Sequence, residues 1–203
     1  MRVVVFLLSA VFAAITGPAC TASIIVFTAS LSGPAEAPSN ASPGTGSAQV
    51  KFDTVMNMMR VQSTFSGLLG TTTAAHIHAA TAVAGTGTAG VATQTPSFLG
   101  FPLAVTAGSM DTTFDMTLAS SYRAGFIAAN GGTTASARAA LLTAMIDGKS
   151  YFNIHTTIFP GGEIRGFLTA IPEPNHVLVL GVCALGAYLT RRLRQRRSAA
   201  PEV

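Results

Sequence analysis

Cysteine is scarce in this chain, which has only two cysteines among 203 residues. Cys20 follows an apolar N-terminal segment, and Cys183 lies in an apolar segment near the other end. No cysteine occurs between them, so the central part of the chain has no pair for an intramolecular disulfide. That part must be held together by its hydrophobic core.

Charge is also sparse, at 10% of all residues. Residues 24–170 carry six basic and six acidic side chains, so the formal net charge of +4 comes from the two ends of the chain. A central part without net charge has no basic surface to attract phosphates, which excludes nucleic acid as a partner. Its 147 residues suit one domain with its own core.

Motifs of common catalytic sites are missing as well. The central part contains no Gly-x-Ser-x-Gly elbow, no glycine loop of the phosphate-binding type and no cysteine nucleophile. Its six acidic residues show no spacing that would pair two carboxylates for hydrolysis. We therefore expect a binding or structural domain and not an enzyme.

The N-terminal segment has the pattern of a secretory signal peptide. Arg2 supplies a short charged region, residues 3–15 are apolar, and Gly17 and Pro18 end the apolar stretch before small residues. These features predict a signal peptide over residues 1–23 that is cleaved in the small-residue stretch. A lipoprotein signal ending at Cys20 is the alternative, but Gly17 and Pro18 fit poorly ahead of a lipidated cysteine.

The C-terminal segment has the pattern of a short membrane anchor. Residues 177–190 are apolar and would rise about 21 Å as a helix, which is short of the roughly 30 Å hydrocarbon core of a bilayer. A cationic cluster stops this run and predicts that it halts in the membrane with its arginines on the cytoplasmic side. The cluster consists of Arg191, Arg192, Arg194, Arg196 and Arg197.

Ahead of this anchor stands the tripeptide Pro172, Glu173 and Pro174. The tripeptide, the short apolar helix and the arginine cluster, together residues 171–203, resemble the bacterial PEP-CTERM sorting signal. The resemblance implies that an exosortase-type membrane peptidase recognises the tripeptide and removes or exchanges the helix during export. An ordinary C-terminal anchor is the alternative. Both interpretations place residues 24–170 outside the cytoplasmic membrane, in the cell envelope or extracellular matrix, with a transient or lasting membrane anchor.

The central part is patterned mainly as short strands. Residues 45–53 alternate between apolar and polar side chains, and residues 55–68 follow as the second arm of a hairpin. About eight such segments predict an antiparallel immunoglobulin-like sandwich or barrel. The other predicted strands are residues 24–31, 73–79, 101–105, 112–118, 150–157 and 162–169.

Helical spacing interrupts this pattern before the last two strands. Residues 120–129 and 135–146 predict two short helices, separated by Gly131 and Gly132 and ended by Asp147 and Gly148. We expect them to pack across one end of the sandwich. Residues 79–100 lack periodicity and predict a long loop.

Several blocks of the central part occur in the order seen in the CHRD domain, first described in chordin. They are residues 27–33 with Glu36, then 65–68, 74–78, 151–156 and 159–166. Residues 24–170 thus resemble this family. The resemblance implies an immunoglobulin-like β fold with a faint likeness to copper/zinc superoxide dismutase. The family's molecular function is poorly defined, although chordin itself binds growth factors.

The three histidines of the central part form its one constellation with plausible chemistry. His76 and His78 lie two apart in a predicted strand, so they share a face while Ile77 points the other way. His155 lies in another predicted strand. If the two strands are neighbours, three imidazoles could converge to hold copper, zinc or an anion. The His-x-His tripeptide resembles copper ligands of superoxide dismutase, which suggests a copper-binding redox protein as one function.

The other interpretation is structural, and it is the one we expect. In it, the ring nitrogens of His76, His78 and His155 bond backbone carbonyls, Asn153 or Glu163 and fix the strand register, with no cofactor. Glu163 and Arg165 would form an ion pair within the sheet, completing a polar cluster with Asn153. The domain would then be a non-catalytic module that binds an unknown ligand of the envelope or matrix.

Overall fold

The computed structural model describes residues 24–171. The predicted signal peptide, the Pro-Glu-Pro tripeptide, the apolar C-terminal segment and the arginine cluster lie outside the described residues. Within the described part, no helix is long and apolar enough to span a membrane.

One antiparallel sheet of eight strands makes up most of the domain, which confirms the predicted mainly antiparallel β architecture. The strands are β1 (Ile24–Ser32), β2 (Thr45–Asp53), β3 (Met58–Ser66), β4 (Thr72–Ala79), β5 (Gly108–Asp115), β6 (Ser150–Thr156), β7 (Ile164–Phe167) and β8 (Thr169–Ile171). Their order across the sheet is β4-β6-β7-β1-β2-β3-β5, and β8 pairs with β1 beside β7. The sheet curls into a half-barrel.

The hairpin of β2 and β3 shows how the local sequence forms this sheet. Alternating apolar residues bury one face of β2, and the Asp53 carboxylate caps the following turn by accepting hydrogen bonds from the backbone N–H groups of Val55 (2.9 Å) and Met56 (2.8 Å). Asn57 takes the left-handed conformation with φ 56°, which asparagine tolerates. The predicted hairpin is confirmed, with β3 beginning at Met58 because the turn occupies the residues before it.

Two short helices, α1 (Ala124–Ala129) and α2 (Thr134–Ile146), lie between β5 and β6, as predicted. A single 3-10 turn, Ala119–Ser121, precedes them. Thr133 and Ser136 form a reciprocal capping box that satisfies N–H groups at the start of α2. Gly148, with φ 66°, follows the helix in the left-handed conformation that favours glycine.

Three predicted strands differ from the structure. Residues 101–105 form a loop because Phe101 packs into the core while Ala104 N–H donates to the Thr72 carbonyl from outside the sheet ladder. The following strand begins four residues earlier than predicted, at Gly108, because all of β5 pairs with β3. The segment predicted as the last strand is divided between β7 and β8. The long loop over residues 79–100 is confirmed, apart from isolated bridges at Val91 and Thr93.

The core fills the inside of the curled sheet. Phe98, from the long loop, lies between Phe114 of β5 (ring centroids 5.1 Å apart) and Phe152 of β6 (5.9 Å). This loop residue therefore bridges β5, at one edge of the sheet, and β6, next to the other edge. Side chains of the opposite alternation point to the outer face, which carries the three histidines on β4 and β6.

Candidate functional site

The three histidines meet on the outer face because β4 and β6 are neighbours. His76 pairs with Asn153, and Ala74 pairs with His155, so the register sets the three imidazoles side by side. The ring centroid of His76 lies 5.8 Å from the ring centroid of His78 and 5.3 Å from that of His155. His78 and His155 are 5.6 Å apart. We call these three residues the histidine cluster.

One nitrogen of each ring is held by a backbone carbonyl. His76 Nε2 lies 2.6 Å from the Pro96 oxygen, His78 Nδ1 lies 2.9 Å from the Ala89 oxygen, and His155 Nδ1 lies 2.9 Å from the Pro160 oxygen. A carbonyl oxygen can only accept, so each of these nitrogens must carry the proton and donate it. The long loop and the β6–β7 turn thereby fix the tautomer of every ring.

The second nitrogen of each ring is then an unprotonated acceptor. His76 Nδ1, His78 Nε2 and His155 Nε2 are buried, and none has a hydrogen-bond partner among the described residues. Ring nitrogens of all three histidines lie within 4.8 Å of one another. Buried polar atoms normally find partners, so three unsatisfied ring nitrogens within one cluster point to a bound group.

Burial keeps the histidine cluster neutral. It lowers the pKa of His76 and of His78 to about 4, although the hydrogen bonds to Pro96 and Ala89 act in the opposite direction. Burial also lowers the pKa of His155 below its usual range. Neutral imidazole is the form that coordinates metals, so no proton must be displaced at neutral pH.

The three unprotonated ring nitrogens are suitable ligands for a copper or zinc ion. Three imidazole nitrogens bonded at about 2.0–2.1 Å to one metal would stand roughly 3.5 Å apart, so small ring movements would close the cluster. Each ring already has the carbonyl partner that metal-bound histidines usually have on their other nitrogen. Among the described residues, no cysteine or carboxylate completes the set, and three protein ligands leave a fourth position open.

Aromatic and cationic side chains continue from the histidine cluster toward β7. Tyr151 stacks on His78 with ring centroids 4.8 Å apart, and the Arg165 guanidinium lies 4.7 Å from the Tyr151 ring centroid. Arg165 is buried and donates to the Ala35 and Gly87 carbonyls. This stack fixes the orientation of His78.

The prediction of an ion pair between Glu163 and Arg165 is wrong, because the Arg165 guanidinium lies beside the Glu36 carboxylate. Arg165 Nε lies 3.7 Å from Glu36 Oε2, and both side chains are only 4% exposed. Burial raises the pKa of Glu36 to about 7 despite the nearby guanidinium. Asn153, beside this pair, donates to the Gly161 carbonyl and does not bond the histidines.

Glu163 instead joins three segments of the chain. Its carboxylate accepts hydrogen bonds from Ser42 Oγ (2.6 Å), Thr156 Oγ1 (2.7 Å), Leu69 N (2.6 Å) and Gly70 N (3.1 Å). Burial alone would raise the pKa of Glu163, but these hydrogen bonds outweigh it and hold the pKa below its usual range. None of these four hydrogen bonds involves a histidine, so Glu163 links chain segments beside the histidine cluster.

Comparison with known proteins supports one assignment: residues 27–168 match the CHRD domain. The chain belongs to the CHRD domain family. No curated protein and no solved structure matches the chain. Membership of the CHRD family is consistent with a non-catalytic extracellular binding module.

Sequence reasoning found the three histidines but missed most of what surrounds them in this CHRD domain. The family blocks include Glu36 and Tyr151, but nothing in the sequence assigns either residue to the histidine site. The loop carbonyls of Ala89 and Pro96 carry no sequence signal, because every residue has a carbonyl group. The contact of His155 with the Pro160 carbonyl carries no sequence signal for the same reason.

Proposed function

We propose that this CHRD domain binds one copper or zinc ion through His76, His78 and His155. The observation that carries the proposal is the convergence of three buried ring nitrogens that lack partners among the described residues, each on a ring fixed by a carbonyl. A structural role alone would account for the carbonyl bonds but would leave three lone pairs unsatisfied at a cost to folding. A bound metal ion accounts both for the carbonyl hydrogen bonds that orient the rings and for the ring nitrogens that have no other partner.

The thermal unfolding midpoint of the purified chain tests this proposal. A ligand that binds only the folded form raises the midpoint, so added Cu²⁺ or Zn²⁺ should raise it and a chelator should reverse the gain. Mg²⁺ serves as the control, because it prefers oxygen ligands and the cluster has none. A midpoint that does not respond to copper or zinc would remove the proposal and leave the histidines a structural role.

The second candidate function is copper-dependent redox chemistry. The fourth position that three ligands leave open favours it, because a closed structural site would use four protein ligands. When bound, copper would supply one-electron exchange. The copper-loaded chain should then be reduced by ascorbate and reoxidised by air, as followed by its Cu(II) absorption and paramagnetic resonance. A metal that never changes oxidation state would leave binding as the function.

We also infer that the domain works outside the cytoplasm and is sorted by an exosortase-type peptidase. The apolar N-terminal segment supports export, and the order of the Pro-Glu-Pro tripeptide, apolar run and arginine cluster supports sorting. Its ligand would then be a component of the cell envelope or matrix. An export reporter fused after Ala170 tests the location, since such a reporter is active only beyond the cytoplasmic membrane.

A further inference from the structure

A second feature of the outer face lies away from the histidine cluster, where β1, β2, β3 and β5 form an open groove of about 660 Å³. Eight lining residues of these strands belong to the outward alternation, and four, Ala29, Ala48, Ser63 and Met110, belong to the core-facing alternation and are buried. The accessible lining therefore lies mainly on the face of the sheet that the core does not use.

Strand register arranges the lining in two rows that cross the sheet. In the first row Thr28 pairs with Gln49, Gln49 with Gln62, and Gln62 with Asp111. Neighbouring strands are about 4.8 Å apart, so this row presents one hydrogen-bonding side chain at each strand step across the groove. Asp111 ends the row, and its carboxylate accepts from Arg60 and Gln62.

The second row runs parallel to the first. Ser30 pairs with Ser47, Ser47 with Thr64, and Thr64 with Ser109. All four are exposed and carry a hydroxyl group that can both donate and accept. Together the rows form a regular array of hydroxyl and amide groups.

The groove closes at the β7 side on an aromatic ring. Phe167 lines that end and is half-buried, and its ring lies 5.4 Å from that of Tyr151. The other large apolar side chain of the lining, Met110, is buried at 5% exposure. The groove thus offers one accessible apolar surface at one end and hydrogen-bonding groups elsewhere.

The composition of the groove selects among ligand classes. Its only charged lining residue, Asp111, is neutralised by Arg60 in a bidentate ion pair, so the groove does not attract a charged polymer by electrostatics. Peptides normally bind by burying apolar side chains in apolar pockets, and a groove with a single half-buried phenylalanine has little surface to receive them. The two rows offer hydrogen-bond donors and acceptors that repeat at the spacing of the strands, and the hydroxyl groups of an uncharged sugar chain can pair with them. The ring of Phe167 offers one surface on which a sugar can stack.

We propose that this groove binds a neutral polysaccharide, with Gln49 and Gln62 as its central hydrogen-bonding residues and Phe167 as the stacking surface at its end. The three histidines do not line the groove, although Phe167 at its end contacts Tyr151, which stacks on His78. Loss of metal binding would therefore leave this proposal intact. It names the class of matrix component to which the exported domain would attach.

The test is surface plasmon resonance of the full chain, purified in a detergent without a sugar headgroup, on immobilised polysaccharides. The neutral probes are dextran, galactomannan and hydroxyethyl cellulose, and alginate is the acidic comparison. We expect saturable binding to at least one neutral probe. The double variant Gln49→Ala with Gln62→Ala should weaken that binding by tenfold or more without changing the unfolding midpoint by more than a few degrees.

The matched control is Arg138→Ala with Thr143→Ala, two α2 side chains that do not line the groove and should leave binding unchanged. A second variant, Ser47→Trp, fills the groove from an exposed position and should abolish binding even if the glutamines contribute little. Three results would each overturn the proposal: no binding to any neutral probe, binding to alginate alone, or binding that survives both groove variants.

Discussion

Tyr151 lies flat against His78, with ring centroids 4.8 Å apart and an angle of 10° between the ring planes. The Tyr151 hydroxyl also lies 3.2 Å from the Ala89 carbonyl oxygen, the same atom that accepts from His78 Nδ1. The ring and its hydroxyl therefore hold both His78 and the loop segment that fixes its tautomer. Neither the Tyr151 ring nor its hydroxyl belongs to the three histidines proposed to bind metal.

This arrangement predicts different outcomes for two changes at position 151. Tyr151→Phe keeps the stacked ring and loses only the hydroxyl contacts, so it should cost roughly 0.5–1.5 kcal/mol of unfolding free energy and retain metal binding. Tyr151→Ala removes the ring and should weaken metal binding as well. Chemical denaturation and metal titration of both variants check this. Complete loss of binding in Tyr151→Phe would show that the hydroxyl, and not the ring, supports the site.

Two glycines near the β6–β7 turn should differ strongly in their tolerance of alanine. A Cβ on Gly166 would collide with the backbone carbonyl of Ser30, which cannot move without breaking the sheet, whereas a Cβ on Gly161 would meet nothing within 4 Å. Gly166→Ala should therefore destabilise by about 3 kcal/mol or more, and Gly161→Ala should change stability by less than about 0.5 kcal/mol. Urea denaturation measures both. Equal effects would contradict the close packing of β7 on β1.

The pH dependence of the metal-free domain should reflect its buried histidines. His76 and His78 have a pKa of about 4 when folded and near 6.5 when unfolded, so between these values the unfolded state binds more protons. Stability should consequently fall as the pH drops from 6.5 toward 4. Glu36 has the opposite effect on stability, because its folded pKa of about 7 lies above its unfolded value and the folded state therefore binds one more proton there.

Thermal unfolding in chelator between pH 7.0 and 4.5 measures the balance. The midpoint should decrease with acidity, since two strongly shifted histidines outweigh one carboxyl group. Glu36→Gln removes the opposing contribution and should steepen the decrease. A midpoint that rises toward pH 4.5 would mean that the histidines are already charged in the folded state.

The sequence predicted the parts of the fold that depend on local pattern. The β2–β3 hairpin follows from alternation, and α2 follows from helical spacing between Gly132 and Gly148. Residues 101–105 were misassigned because an apolar run looks the same in a buried loop and in a strand. In the folded chain, Phe98 and Phe101 enter the core from the loop, and this depends on contacts distant in sequence.

The candidate site was only half predictable for a similar reason. Spacing alone placed His76 and His78 on one face, but the convergence with His155 required β4 and β6 to be neighbours. The partner of Arg165 could not be predicted, because Glu36 lies 129 residues earlier in the chain and reaches Arg165 from the loop between β1 and β2. Pairing within one strand was the simpler expectation, and long-range loop packing replaced it.

The sorting proposal predicts a specific effect of Glu173. If the Pro-Glu-Pro tripeptide is a peptidase signal, Glu173→Ala should leave the full-length chain in the membrane of a host that has an exosortase. Fractionation and immunoblotting measure this, with Glu202→Ala as the control because it lies after the arginine cluster. Identical sorting of the wild-type chain and Glu173→Ala would indicate an ordinary anchor.

Metal stoichiometry tests the central claim most directly. The purified chain is dialysed to equilibrium against Cu²⁺ or Zn²⁺ and then analysed by mass spectrometry for bound metal, alongside His76→Ala, His155→Ala and Tyr151→Phe. We predict one ion per wild-type chain and per Tyr151→Phe chain, and far less than one in either histidine variant, because a three-ligand site rarely retains its metal after losing a ligand. A wild-type chain without metal, or histidine variants that still bind one ion, would contradict the account.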